Sequence, residues 1–392
     1  MLFQLLDKKQ ECYKIFCEGE LVDDYRIESL SHTWSPASHL EGEEIEYAQI
    51  WCGGKTLSQA CPPELSSRWE SVNKKAMAYL RTFEQSKINL RDVCFYDLVP
   101  KKFLLEFYEV KNEISRFVFK NYGRPKNYEF MRDLCFLLKR IESNDLNLDF
   151  NNIDYSDNKV RSSISKIKKH NNKIIYDPWK TVTGRLTTKK NSFPILTLNR
   201  ELRSLLVPKN DVFVELDFNS AELRVLLGLL NQPQPEEDIH TWISKNVFHE
   251  KYNREETKKK VFAWLYNPKA KNKKLNEYLD RDKLYEEYFK TDKVKTPYKR
   301  EICVEKDKAV NYLIQSSASD MLLNSAVNVS KKLTGKKSFV SFCIHDSIVI
   351  DLSTEEKDSI NALAKIFSRT KFGDLKVNLS IGKNFGNMRK VL

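Results

Sequence analysis

Four side chains, Arg254, Lys258, Phe262 and Tyr266, recur at steps of four within the run Arg254-Glu-Glu-Thr-Lys-Lys-Lys-Val-Phe-Ala-Trp-Leu-Tyr266. On an α-helix each such step drifts by only about 40°, so all four point into one space. Their face is two cations followed by two aromatic rings, suited to a triphosphate at one end and a base and sugar at the other. Read alone, the run is equally an ordinary Lys-rich amphipathic helix with a solvated face. Two carboxylate segments, one on each side of it in the sequence, decide between these readings.

The first is Val212-Phe-Val-Glu-Leu-Asp217-Phe-Asn-Ser-Ala-Glu222-Leu-Arg. It opens as an apolar, β-favouring stretch and turns helical after Ser220, which puts Asp217 at a strand end. The second is Ser341-Phe-Cys-Ile-His345-Asp346-Ser-Ile-Val-Ile-Asp351. Two β-rich runs flank His345 and Asp346 with almost no spacer, which predicts a hairpin with the Asp at its tip. Two carboxylates delivered by neighbouring strands suit Mg²⁺, a hard cation that takes oxygen ligands and keeps several waters or phosphate oxygens. A pair of such ions about 3.5–4 Å apart stabilises both the attacking and the leaving oxygen of phosphoryl transfer.

On these residues the chain resembles the family A DNA polymerases typified by bacterial DNA polymerase I, as a compact phage- or virus-type member. Asp217 and Glu222, five apart, resemble that family's motif A; Arg254, Lys258, Phe262 and Tyr266 resemble motif B; His345-Asp346 resembles motif C. Thr183-Gly184-Arg185-Leu186, Asp238-Ile239-His240, Asn311 through Gln315 and Ser316, and Gly382-Lys-Asn384-Phe385 resemble lesser family segments in the same order. Seven ordered segments over residues ~176–392 are hard to obtain by chance. Three positions depart from the family pattern. Ser347 stands where a Glu usually follows the motif C Asp, Asn267 where a Gly follows Tyr266, and Asp307 where an Arg precedes Asn311.

The resemblance implies an α+β, right-hand polymerase of palm, fingers and thumb that extends a primer 3′-OH with dNTPs, releasing pyrophosphate. Asp217 and Asp346 would be catalytic and bind two Mg²⁺ (Mn²⁺ as a substitute), with the Phe218 carbonyl as a third ligand. Arg254, Lys258 and His240 would neutralise the triphosphate. Phe262 would pack on the sugar and base, Tyr266 would sit beside the templating position, and Glu222 would exclude a 2′-hydroxyl. Arg185, Asn311, Gln315 and His345 would contact primer or template DNA. The expected domains are a small α/β N-terminal domain over residues 1–100, resembling a degenerate exonuclease domain; thumb helices over 101–175; palm with motif A over 176–230; fingers over 231–295; and palm with motif C over 296–392. A single-subunit RNA polymerase and a catalytically silent nucleic-acid-binding relative are the competing readings. Glu222 and Phe262 stand against the first, and retention of both Asp with Arg254 and Lys258 stands against the second.

The +12 formal charge over 392 residues suits a polyanionic partner, although a basic soluble chain needs none. Lys159, Arg161, Lys166, Lys168, Lys169 and Lys173 precede the Thr-Gly-Arg-Leu segment, and Lys269, Lys271, Lys273 and Lys274 follow the nucleotide helix. Such contacts with phosphates would be salt-sensitive and blind to sequence. The eight Cys have no metal-like spacing and are expected to be reduced thiols in a cytoplasmic, monomeric protein of a bacterium or phage-infected host. No run is apolar enough for a membrane span or signal peptide. In the N-terminal third, strand-like alternation over Cys12–Cys17 and Glu46–Cys52 precedes helical patterns from Trp69 to Phe83 and Phe103 to Phe119. The only exonuclease-like acid pair there is Glu18-Gly-Glu20, so no nuclease chemistry is expected.

Overall fold

The structure, a computed structural model, describes the chain apart from residues 10–13, 91, 152–155, 170–171, 268–269, 271 and 392. Cys12, Lys269 and Lys271 therefore lie outside the described residues. The chain divides into two compact units, Met1–Arg140 and Ile141–Leu392.

In the first unit two long helices follow prolines, which is where a helix tolerates them, because the first-turn N–H groups have no intrahelical partner. They span Pro63–Gln85 and Lys101–Asn121. Val110, Ile114 and Val118 recur at helical spacing on the second and are buried in one core with Trp34, Trp69 and Val72. That shared core spans residue 100, the expected end of the N-terminal domain. Residue 100 falls inside the first unit, and residues 101–175 are divided between the two units rather than forming one body. The antiparallel strands Phe3–Leu5, Ile15–Cys17 and Glu20–Val22 make a small sheet. Glu18 and Gly19 occupy the left-handed turn between its last two strands, with φ of 50° and 86°, leaving Glu18 and Glu20 exposed. The strand expected over Glu46–Cys52 is cut short. Glu46–Tyr47 pairs with His32–Thr33, and Ala48–Trp51 turns helical because Ala48 and Ile50 face the core. The cysteine reading also needs correction: Cys17, Cys52, Cys61, Cys135, Cys303 and Cys343 are free, but Cys94 is disulfide-bonded.

The second unit is built on a five-stranded antiparallel sheet. Its strands are β1 (Val212–Phe218), β2 (Phe339–Ile344), β3 (Ser347–Leu352), β4 (Val377–Gly382) and β5 (Arg389–Lys390), in the spatial order β2-β3-β1-β4-β5. The central β1 pairs with β3 on one side and β4 on the other, so Ser347, Asp217 and Asn378 stand abreast. Edge strand β2 is bulged between Val340 and Phe342. Beside the bulge the buried Tyr176 hydroxyl donates to the Cys343 carbonyl and accepts from the Cys343 N–H. Helix α1 (Ala221–Leu229) leaves β1 through Ser220, which takes φ 55° at the strand-to-helix corner. Helices α2 (Ile239–Asn246) and α3 (Arg254–Tyr266) follow, and α4 (Ala309–Lys332) packs against α1. The expected strand-to-helix corner, the helix over Arg254–Tyr266 and the hairpin are thus all present. Among the described residues no helix is long and apolar enough to cross a membrane.

Candidate active site

Asp217 and Asp346 reach the same place by local geometry. Only His345 and Asp346 separate β2 from β3, and His345 takes the left-handed conformation (φ 49°) that so tight a turn needs. The Phe218 N–H donates to the Asp346 carbonyl at 3.2 Å, tying the two segments together through the main chain. The Phe218 ring turns away into the core and stacks on Phe367 at 4.3 Å. Asn378 Nδ2 donates to Asp217 Oδ2 at 3.0 Å. Burial pushes the Asp217 carboxyl up to about 6, helped by the nearby charges of Glu215 and Asp346. Burial also raises the Asp346 carboxyl, against the pull of Arg185. Among the described residues neither carboxylate has an ion-pair partner within 4.0 Å.

Helix α3 forms because Asn253 and Glu256 make a reciprocal capping box at its start, with bonds of 2.9 and 3.0 Å. It buries Thr257, Val261, Trp264 and Leu265. That leaves Arg254, Lys258, Phe262 and Tyr266 on another face. The Phe262 and Tyr266 rings are parallel within 2° with centroids 5.7 Å apart, and Lys258 Nζ lies 6.0 Å from the Phe262 centroid. Arg254 grips Asp238 through Nε at 3.0 Å and Nη2 at 2.9 Å. His240 is buried, with Nε2 3.2 Å from Ser220 Oγ and its ring 5.8 Å from Phe262. Burial lowers its pKa to about 4. At neutral pH it therefore presents a neutral imidazole, able to hydrogen-bond but not to supply the positive charge expected of it.

Glu222 joins the two halves of the site. One carboxylate oxygen accepts from Arg185 Nη2 and the other from the Tyr266 hydroxyl. Asn311 Nδ2 reaches the Tyr266 carbonyl at 3.4 Å. Beside them a cleft of about 400 Å³ is lined by Arg185, Glu222, Gln315, His345 and Asp346 over apolar residues of α4. The structure thus brings together Asp217, Glu222, Asp346, Arg185, Tyr266, Asn311, Gln315 and His345. Arg254, Lys258, Phe262 and His240 form the adjoining cluster. Three contributors were not foreseen: Asn378, which holds Asp217; Asn219, which donates to Asp238 at 3.3 Å; and Glu215, which accepts from Ser347 Oγ at 2.9 Å. Glu215 had a visible signal, since it lies two residues before Asp217 and so shares its face of the strand.

Among the described residues no three His, Cys, Asp or Glu converge as a closed metal cage. Two carboxylates raised by burial, neither with a cationic partner, still fit a hard divalent ion. Such an ion relieves their mutual repulsion and draws its other ligands from backbone carbonyl, water and phosphate oxygens.

No protein-family model matches this chain, and no curated protein matches it by sequence. By structure it resembles the POL domain of Pol1 from M. smegmatis, solved in complex with DNA primer-template and dNTP. The TM-score is 0.63 over 91% of this chain and 86% of that one, at 11% identity. The fold is that of a polymerase domain. At so low an identity the likeness shows architecture alone.

Proposed function

We propose that the chain is a template-directed DNA polymerase that extends a primer 3′-hydroxyl with dNTPs by two-metal nucleotidyl transfer. The observation that carries this reading is the convergence of Asp217 and Asp346 on neighbouring strands with the Arg254–Tyr266 face, the two joined through Glu222. In this reading the five-stranded sheet is the palm and α3 belongs to the fingers. Asp217 and Asp346 hold two Mg²⁺, with the Phe218 carbonyl as a further ligand. When bound, the ions lower the pKa of the primer hydroxyl and neutralise charge on the departing pyrophosphate. Arg254 and Lys258 bind the phosphates as cations, and neutral His240 donates a hydrogen bond. Phe262 packs on the sugar and base, Tyr266 sits beside the templating base, and Glu222 occupies the space a 2′-hydroxyl needs. Arg185, Asn311, Gln315 and His345 border the new base pair. The exposed Lys159, Arg161, Lys166, Lys168 and Lys169, on and just after a helix that buries Val160, Ile164 and Ile167, grip the DNA backbone.

Primer extension with dNTPs and, separately, rNTPs tests this. Wild-type protein should extend with dNTPs, and Asp217→Ala or Asp346→Ala should abolish extension while primer-template binding persists. Extension within about tenfold of wild type in either variant, a barrier change of only about 1.4 kcal/mol, would remove the two-metal assignment. Preferential use of rNTPs would indicate an RNA polymerase, and binding without extension a silent relative.

A further inference from the structure

Arg224 sits on α1, whose only other charged residue is Glu222, and its guanidinium is wholly buried. Among the described residues it has no carboxylate within ion-pair distance. Burial lowers its pKa to about 10. A charge taken out of water without a counter-ion is unfavourable unless its hydrogen bonds are well satisfied. Here its partners are all oxygens of two loops. Nε donates to the Asn219 carbonyl at 2.9 Å, Nη1 to the Pro235 carbonyl at 2.8 Å, and Nη2 to the Glu237 carbonyl at 3.0 Å and Asn219 Oδ1 at 3.3 Å. The guanidinium therefore ties the segment just past Asp217 to the segment just before Asp238.

Asn219 completes the tie. Its Nδ2 donates to Asp238 Oδ2 at 3.3 Å. Asp238 is then loaded from every side: Oδ1 accepts from the His240 and Thr241 N–H groups, each at 3.1 Å, and both oxygens accept from Arg254. Desolvation pushes this carboxyl up, but the bonds from Arg254, Thr241 and Asn219 outweigh it and hold the group well below the usual carboxylate range.

We infer that Asn219 and Arg224 are positioning residues that set Arg254 against Asp217 by holding Asp238. The inference rests on the polymerase reading only in taking Arg254 as a triphosphate ligand. Arg254 is an exposed side chain on a helix end. Without Asp238 it would keep only the exposed Glu255 carboxylate on Nη1 and would sample many rotamers. Fixed by Asp238, it meets the triphosphate already oriented, and the tie through Asn219 makes that orientation a fixed offset from the metal-binding strand. Loss of the tie weakens nucleotide capture more than chemistry.

The test is a double-mutant cycle on the full chain in single-nucleotide incorporation. Asn219 is partly exposed, so Asn219→Ala should fold. It should raise the dNTP KM by about tenfold with kcat changed less than about threefold. In an Arg254→Ala background the same substitution should cost less than about twofold, since the group it positions is gone. Arg224→Lys, which keeps a cation but loses the fork geometry, should behave as Asn219→Ala does in both backgrounds. An equal penalty with and without Arg254, or a fall in kcat at unchanged KM, overturns the inference. Calorimetric titration with dTTP in the absence of DNA separates this from the polymerase reading. If wild type extends no primer, yet dTTP binding falls in Arg254→Ala and Asn219→Ala without further loss in the double variant, the polymerase reading fails and the tie stands. Binding of dTTP indifferent to Arg254→Ala refutes the tie.

Discussion

Replacing Asp217 by Asn should stabilise the fold while ending catalysis. The carboxyl is pushed from 3.8 to about 6, chiefly by burial and then by Glu215 and Asp346, with Asn378 and Lys390 pulling the other way. A tenfold change in proton affinity corresponds to about 1.4 kcal/mol, so the ionised side chain destabilises the folded state by an amount on the order of 2–3 kcal/mol. The sign follows from proton binding. An acid whose folded pKa is raised holds its proton more tightly folded than unfolded, so stability falls as pH rises from about 4 to about 6. Below that window the penalty is absent, and above it the penalty is complete. Asn never ionises, and its side-chain carbonyl still accepts the bond from Asn378. The stability of Asp217→Asn minus that of wild type should therefore be near zero at pH ~4 and reach its plateau above pH ~6.5. Urea unfolding in EDTA across this range measures it, and Mg²⁺ should narrow the gap above the window by binding the wild-type carboxylate. A difference that does not change with pH, or an Asn variant less stable than wild type on the plateau, would refute the account of a desolvated, unpaired charge.

Glu222→Ala frees the space beside the sugar and should raise relative rNTP use roughly ten- to thousandfold, read as the rNTP/dNTP ratio of kcat/KM. Phe262→Tyr adds the hydroxyl that some members of the resembled family carry at the matching position, so dideoxynucleotide use should rise strongly at little change in dNTP rate. With Glu18 and Glu20 exposed in a hairpin turn, a 3′-mismatched primer incubated with Mg²⁺ and no dNTPs should keep its length on a gel. Gly184 takes φ +76°, and an added Cβ would stand 2.5 Å from Arg300 Nη2, itself pinned by the buried Asp320 at 2.7 Å. Gly184→Ala should cost about 2 kcal/mol in urea unfolding and weaken extension by displacing Arg185.

The parts of the site that were legible in the sequence are local. Arg254 to Tyr266 is governed by helical period, and Asp346 by two β-rich runs that leave room for only a tight turn. Neither depends on what the rest of the chain does. The hold of Asn378 on Asp217 spans 161 residues, and no spacing rule connects them. His240 reads as a cation because the sequence does not show its burial, and burial is what makes it neutral. The division into compact units after Arg140 has no local signal: Pro100 marks a helix start equally well within a unit as between units, and the core that Val110 shares with Trp69 lies on both sides of it. Arg224 carries a signal of its own. A lone charge in Leu223-Arg-Val-Leu-Leu-Gly-Leu-Leu must be partnered if the helix is buried all round.

Edge strand β2 carries the site's hairpin and would ordinarily offer a row of free N–H and C=O groups to any passing chain. Tyr176 takes up both the N–H and the carbonyl of Cys343, and the bulge at Ser341 bends the strand where it would otherwise lie flat. The strand that presents Asp346 is thereby closed to strand addition. Tyr176→Phe should leave the turn intact yet expose that edge, so its first symptom would be concentration-dependent self-association rather than lost activity.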